Sequence, residues 1–293
     1  MSKIEIDKEK CIKCGACIKD CITYSLEKDQ EGFACLSEKG ESLCISCQHC
    51  FSICPTGAIS FEGNKPENAE ASFFPQPEDV LKLIKSRRSI RQYKDEEISE
   101  DLIEKIKEML PYIPTGCNFN GLHFSFIESK TAMNQIREYV NNKILKMISN
   151  KLTSKYAGKF AKFKKAFENG EDIIFRNAPH MIVVSSNICA PCANVDPIIA
   201  LSYIELYAQS LGVGTCWCGF AQACFKIFPE LVEKINIPEN YKPVYVMLLG
   251  YPSVKYHRTV LPKPFPIEEI KEFDNKKVGF LKNLKRFFLN FIR

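Results

Sequence analysis

The 293-residue chain has one tryptophan and four histidines, and no apolar run approaches the 18 or so residues that a membrane-spanning helix needs. So few histidines leave little material for a mononuclear metal centre. No G-x-G-x-x-G stretch is present, so no dinucleotide-binding fold is expected. Nothing at Met1 to Asp7 resembles a secretory leader, and the thiols are therefore read as reduced and the protein as cytoplasmic. Low-complexity segments are missing too. Charge is sparse where a nucleic-acid binder would need it. The net charge is +5, but Lys276, Lys277, Lys282, Lys285, Arg286 and Arg293 form an acid-free tail. The remainder is close to neutral at one net negative charge, which argues against a nucleic-acid-binding body.

Cysteine is what the chain does have. Nine of the fifteen precede residue 55. Cys44, Cys47, Cys50 and Cys54 stand at spacings of three, three and four, followed by Pro55, and Cys11, Cys14, Cys17 and Cys21 repeat the spacing. Zinc sites usually use two pairs separated by a dozen or more residues. Three thiols within seven residues instead wrap one corner of a cubane iron–sulfur cluster.

Residues 1–62, including Pro55-Thr56-Gly57-Ala58-Ile59, resemble the bacterial two-cluster ferredoxins. In that family the fourth cysteine of each run serves the other cluster. The resemblance implies one [4Fe-4S] cluster on Cys11, Cys14, Cys17 and Cys54, and a second on Cys44, Cys47, Cys50 and Cys21. Two departures are visible: Ile22 stands where the first run's proline would be, and 22 residues separate Cys21 from Cys44. A longer connection costs little closure entropy.

Pro66, Pro75 and Pro77 mark a linker over 65–77. Beyond it, Arg87, Arg88 and Arg91 with the Ser89 hydroxyl form the donor set that a phosphate monoester requires, although a basic run is more often a solvated face. Ser99 can cap a helix opened by Glu100 and Asp101. Pro114-Thr115-Gly116-Cys117-Asn118 then precedes an alternating strand through Leu122, Phe124 and Phe126. Ala178 to Val184 reads as a buried strand. Asp196 opens a long helix with Ile199, Tyr203 and Leu206 on one face, followed by Gly214 to Gly219. Lys242 to Pro252 reads as a central strand with Arg258 shortly after.

These pieces, in this order over residues 78–263, resemble the FMN-dependent nitroreductase family. The resemblance implies Arg87, Arg88, Ser89, Arg91 and Arg258 around the flavin phosphate. It places Pro114, Thr115, Gly116 and Asn118 along the isoalloxazine, and the backbone of Trp217, Cys218 and Gly219 near the flavin N5 side. The chemistry lies on FMN, so no protein side chain is named as catalytic. Asn120-Gly121-Leu122 replaces the Gln-Pro-Trp of many members, and residues 131–172 form a lysine-rich, helix-like insertion.

The implied architecture is α+β: a ferredoxin-like domain (1–64), a linker (65–77), an FMN domain (78–263) working as an interlocked homodimer, and a basic tail (264–293). In the tail Val278, Leu281, Leu284, Phe288 and Phe291 recur at helical spacing. That stripe suits docking on the protein's own dimer, or contact with an anionic membrane surface. Cys189 and Cys192 form a C-x2-C pair read as two reduced thiols. The expected activity is electron transfer from ferredoxin or flavodoxin, through the clusters and FMN, to a nitroaromatic, quinone or activated alkene. A nitroreductase running directly on NAD(P)H and a non-catalytic redox carrier or sensor are the alternatives.

Overall fold

Alternation in Ile4-Glu5-Ile6 and Ile59-Ser60-Phe61 makes two short strands, each apolar on one side. In the computed structural model, which describes residues 3–150, 152–153, 158–273, 284 and 286–288, they pair antiparallel as β1 (Ile4–Ile6) and β4 (Ile59–Phe61). The connection between Cys21 and Cys44 is folded: β2 (Leu26–Lys28) and β3 (Ala34–Leu36) form a hairpin, followed by α2 (Gly40–Leu43). The Asp29 carboxylate ties the hairpin turn by accepting the N–H groups of Glu31 and Phe33. Helices α1 (Ala16–Asp20) and α3 (His49–Ile53) each bury one cysteine, Cys17 and Cys50. Both join Ile4, Leu26, Ile59 and Phe61 in a small core.

The larger part is built on a four-stranded antiparallel sheet of order β5-β6-β8-β7, with β5 (Leu122–Ile127), β6 (His180–Asn187), β7 (Gly214–Trp217) and β8 (Tyr241–Gly250). Its central strands are apolar on both faces, as strands covered on both sides must be. Met181, Val183, Val246 and Leu248 face one core, with α6 (Lys130–Ser149), α7 (Lys164–Glu168), α9 (Gly219–Ile227) and α10 (Glu230–Lys234). Ile182, Val184, Met247 and Leu249 face the other, with α5 (Glu100–Glu108) and α8 (Asp196–Ser210). The fold class is α+β, as the sequence implied.

Three local expectations are adjusted. Ser99 occupies the position before α5, but its side chain makes no capping hydrogen bond. Within 131–172, Met133, Val140, Ile144 and Phe167 are buried in the main core, so these residues support the sheet. In α8 the buried residues are Asp196, Pro197, Ala200, Leu201, Ile204, Glu205 and Ala208, whereas Tyr203 is exposed. A helix apolar around most of its circumference gives periodicity nothing with which to choose a face.

The chain divides into two compact units, Met1–Arg258 and Thr259–Arg293. In the second, Leu261, Phe265, Ile267 and Ile270 are exposed on irregular chain. Most of the anticipated tail stripe, including Val278, Leu281 and Phe291, lies outside the described residues; Leu284 and Phe288 are exposed. No described helix is long and apolar enough to cross a membrane.

Candidate functional site

The two cysteine runs share one backbone. Lys13 and Gly15 in the first and Ser46 and Gln48 in the second all have positive φ, between 58° and 73°. Left-handed residues alternating with ordinary ones turn successive N–H groups toward one concavity, the nest geometry that receives anions and iron–sulfur clusters. Cys11, Cys14, Cys17 and Cys54 line one cavity, with Ile6 and Ile59 among its apolar walls. Cys44 and Cys47 lie within electrostatic reach of Cys50. Among the described residues, no three His, Cys, Asp or Glu side chains are drawn around a single-ion position. The quartet lines a space, as a polynuclear group requires.

The fourth cysteines are set up alike. Ser25 N–H donates to Cys21 Sγ at 3.3 Å and Ala58 N–H to Cys54 Sγ at 3.2 Å, each from four residues downstream. Thr23 and Thr56, each two residues on, stand 3.5 and 3.8 Å from the same sulfurs. Burial pushes both thiols up, but these donors outweigh it and both lie below the ordinary value. At the helix-borne thiols burial outweighs the backbone donors at Ile18 and Phe51: it raises Cys17, and pushes Cys50 up to about 11.

The basic segment is built onto the edge of the sheet. Ser89 bridges Thr215 in parallel fashion and Ile90 N–H donates to the Thr215 carbonyl at 2.8 Å. Gly214 permits this approach, because a Cβ there would fall 2.7 Å from Ile90 Cγ1. Arg87 Nη1 meets the buried Glu205 carboxylate at 3.1 Å, a pairing that a buried charge requires. Arg88 Nη1 donates to the Arg87 carbonyl, while Arg88 Nη2 is buried without a partner among the described residues. An unspent buried guanidinium N–H, one residue before Ser89 in the chain, fits an anionic ligand. Arg91 is exposed.

The 114–120 loop is unusual in backbone: Cys117, Asn118 and Asn120 all have φ between 51° and 54°. It is held by Thr115 Oγ1, which accepts the Asn120 N–H at 3.0 Å, and by Asp196, whose carboxylate accepts the Gly116 N–H at 3.1 and 3.2 Å. Cys192 packs so tightly on Gly116 that a Cβ there would lie 2.6 Å from its sulfur. Asn118 Nδ2 donates to the Ile45 carbonyl at 2.9 Å, between Cys44 and Cys47. The loop thereby touches the second cysteine run.

Midway along β8, Trp217 lies edge-on to Tyr245, with ring centroids 5.2 Å apart. Cys218 N–H is taken by the Val246 carbonyl, and its buried sulfur donates to the Ile174 carbonyl and caps α9. Burial pushes this thiol up to about 11, so it behaves as a structural group. Gly219 opens α9, where first-turn N–H groups have no intrahelical partner. Arg258 is exposed on the chain beyond β8. Gly116 rests on the start of α8 and Arg87 and Arg88 near its end, roughly 14 to 20 Å apart along the axis at 1.5 Å per residue. Glu205 and Gln209, which anchor the basic segment from α8, carry no motif that sequence reading could have singled out.

A sequence model of 4Fe-4S binding domains matches residues 3–26, and another matches 38–60. The chain is also similar to hydrogenase-4 component A of Escherichia coli, 36% identical over 66 residues, covering 22% of this chain and 30% of that protein. A putative NADH dehydrogenase/NAD(P)H nitroreductase of Methanothermobacter thermautotrophicus is 31% identical over 185 residues, 60% of this chain and 78% of its own. Among solved structures, a nitroreductase with bound FMN from Bacteroides fragilis superposes with a TM-score of 0.52 at 25% identity, over 65% of this chain and 99% of that one. The nitroreductase family model matches residues 84–251, more than half of the sequence, and the chain belongs to that family.

Proposed function

We propose that the chain is an FMN- and iron–sulfur-dependent oxidoreductase. A low-potential protein donor, ferredoxin or flavodoxin, supplies single electrons, and the acceptor is a small organic molecule of nitroaromatic, quinone or activated-alkene type. The observation that carries this reading is the hydrogen bond from Asn118 to the Ile45 carbonyl, which sets the second cysteine run against the loop that the family resemblance gives to the isoalloxazine.

In this reading Cys11, Cys14, Cys17 and Cys54 hold one cluster and Cys44, Cys47, Cys50 and Cys21 the other, in a domain spanning 1–64. Arg87, Arg88, Ser89, Arg91 and Arg258 bind the FMN phosphate, and the unpartnered Arg88 Nη2 supports that role. Pro114, Thr115, Gly116 and Asn118 line the ring, with the backbone of Trp217, Cys218 and Gly219 near its N5 side. When bound, the clusters carry single electrons, and FMN accepts them singly and delivers a pair. The protein holds these groups in place; Glu205 keeps Arg87 paired and Asp196 fixes Gly116.

A second copy completes the site in this account. Helix α4 (Pro77–Ser86) buries none of its residues. Its Val80, Leu81 and Ile84, together with Ile198 and Tyr203 of α8, are exposed apolar side chains on contacting helices. A face of that kind marks an association surface.

The competing reading, hydride supplied directly by NAD(P)H, draws on the name of the Methanothermobacter relative. Anaerobic rapid mixing separates the two. Flavin bleaching by reduced ferredoxin, with NADH slow or silent, is the expected outcome; fast bleaching by NADH with ferredoxin silent would overturn it.

A further inference from the structure

The two cysteine runs repeat one backbone but not one environment, and the difference gives the electron path a direction. In the first run Ile12 is 62% exposed, and Lys13 and Cys14 are exposed as well. Their counterparts at the same steps of the second run, Ile45, Ser46 and Cys47, are all half-buried. The left-handed residues match one for one, Lys13 with Ser46 and Gly15 with Gln48, so conformation is not the cause. The second run is covered by other chain at Ile45 and Ser46, although Gln48 and His49 stay exposed: Lys3 Nζ reaches Ser46 Oγ at 3.4 Å, and Asn118 Nδ2 spends its donor on the Ile45 carbonyl.

Resting on the function proposed above, we infer that the ferredoxin part is polar in function. The Cys11–Cys17 run faces outward and takes electrons from the donor. The Cys44–Cys50 run faces the flavin loop and passes them on. Asn118 is the positioning residue that holds the two together.

Three features favour Asn118 as a built contact. Its backbone is left-handed, φ 51°, between two further left-handed residues, Cys117 and Asn120, a conformation that costs energy unless its surroundings hold it. The loop is pinned on its far side by the Asp196 carboxylate at Gly116. Finally, the acceptor of the bond is a main-chain carbonyl inside the ligand run, so the contact fixes the run's backbone. Each transfer oxidises the donor by one electron and reduces the flavin by one; two donor encounters, with protons from solvent, furnish the pair that the organic acceptor takes up.

The test uses anaerobically purified holoprotein whose iron and flavin have been measured. Iron is withdrawn by a strong chelator while iodoacetamide traps each freed thiol, and peptide mass spectrometry follows every cysteine. The expected result is that Cys11, Cys14, Cys17 and Cys54 become labelled about tenfold faster than Cys44, Cys47, Cys50 and Cys21. Two variants, Asn118→Gly, which suits the positive φ, and Asn118→Asp, which keeps the shape and loses the donor, should narrow that gap. In stopped flow with reduced ferredoxin, both should slow flavin bleaching about tenfold per bound flavin while cluster reduction keeps its rate. Labelling of Cys47 as fast as Cys14 in the wild type, or unslowed flavin bleaching in both variants, overturns the inference. A preparation with no iron at the outset overturns the cluster reading itself, and is recognised before any chelator is added.

Discussion

Gln209 holds Arg88 by both of its main-chain polar groups. Its carboxamide oxygen accepts the Arg88 N–H at 3.3 Å, and its amide nitrogen donates to the Arg88 carbonyl at 2.9 Å and to Thr215 Oγ1 at 3.1 Å. One side chain of α8 thus pairs with the basic segment as a neighbouring strand would, at the point where the segment joins β7. With Arg87 paired to Glu205 one turn earlier, the charged loop arrives already shaped for its ligand.

That arrangement predicts flavin affinity. Gln209→Ala should weaken FMN binding about tenfold, because a main-chain donor and acceptor lose their partners at a cost of about 1–3 kcal/mol. Gln209→Glu should do the same by setting a carboxylate against the Arg88 carbonyl. The double variant Arg88→Ala with Arg258→Ala should release more flavin than either. Flavin fluorescence on dilution reads all three; unchanged occupancy would remove these residues from the site.

Crossed ligation makes a separate prediction. Cys54→Ala should damage the cluster of Cys11, Cys14 and Cys17 and spare the one built on Cys44, Cys47 and Cys50. Thr23→Val, by removing a donor from Cys21 Sγ, should make only the second run's cluster harder to reduce, since hydrogen bonds to sulfur tune the potential. Redox titration followed by EPR distinguishes the two; loss of the second cluster in Cys54→Ala contradicts the crossing.

Arg137 and Asp172 tie α6 to the chain entering β6. Arg137 Nε meets Asp172 Oδ2 at 2.8 Å, and the same carboxylate accepts the N–H groups of Phe175 and Asn177. Arg137 also donates to the Ala178 carbonyl. The pair is largely buried, so Asp172→Ala strands a guanidinium and should cost roughly 3–5 kcal/mol. Denaturant unfolding measures it, and a loss below about 1 kcal/mol would show that the pair is solvated.

His180 gives the fold an acid-sensitive point. Its Nε2 accepts the Ile98 N–H at 2.8 Å, so its proton sits on Nδ1, which is buried without a partner among the described residues. Burial holds its pKa below the ordinary 6.5. The unfolded chain therefore binds the proton more readily than the native one. This contribution is intact above about pH 6.5 and falls as pH drops from there toward the depressed native value. The melting temperature of wild type should drop in mild acid more steeply than that of His180→Asn; parallel curves would contradict the assignment.

How much of this was legible depends on how local each feature is. The cysteine runs could be read outright, because their ligand spacing lies within a few residues, whereas the left-handed turns at Lys13 and Ser46 emerged only with the backbone. Strands β6 and β8 were also visible, being apolar on both faces. The buried face of α8 was not, since Tyr203 and Leu201 both count toward an apolar stripe and only packing distinguishes them. Glu205 and Gln209 stand more than a hundred positions from the arginines they anchor, and no periodicity reaches that far. The Asn118 loop was found, but its hydrogen bond to Ile45 depends on how the two parts of the chain meet.

The central claim, that iron–sulfur clusters and a flavin reside together on this chain, is tested most directly by composition. Iron, acid-labile sulfide and released flavin should be measured per chain on protein purified without oxygen. The account predicts about eight irons with matching sulfide, and about one FMN per chain. Iron without flavin would contradict it by leaving the Arg87–Arg91 segment without its ligand. Flavin without iron would contradict it by leaving a nitroreductase whose duplicated cysteine runs play no part in electron delivery.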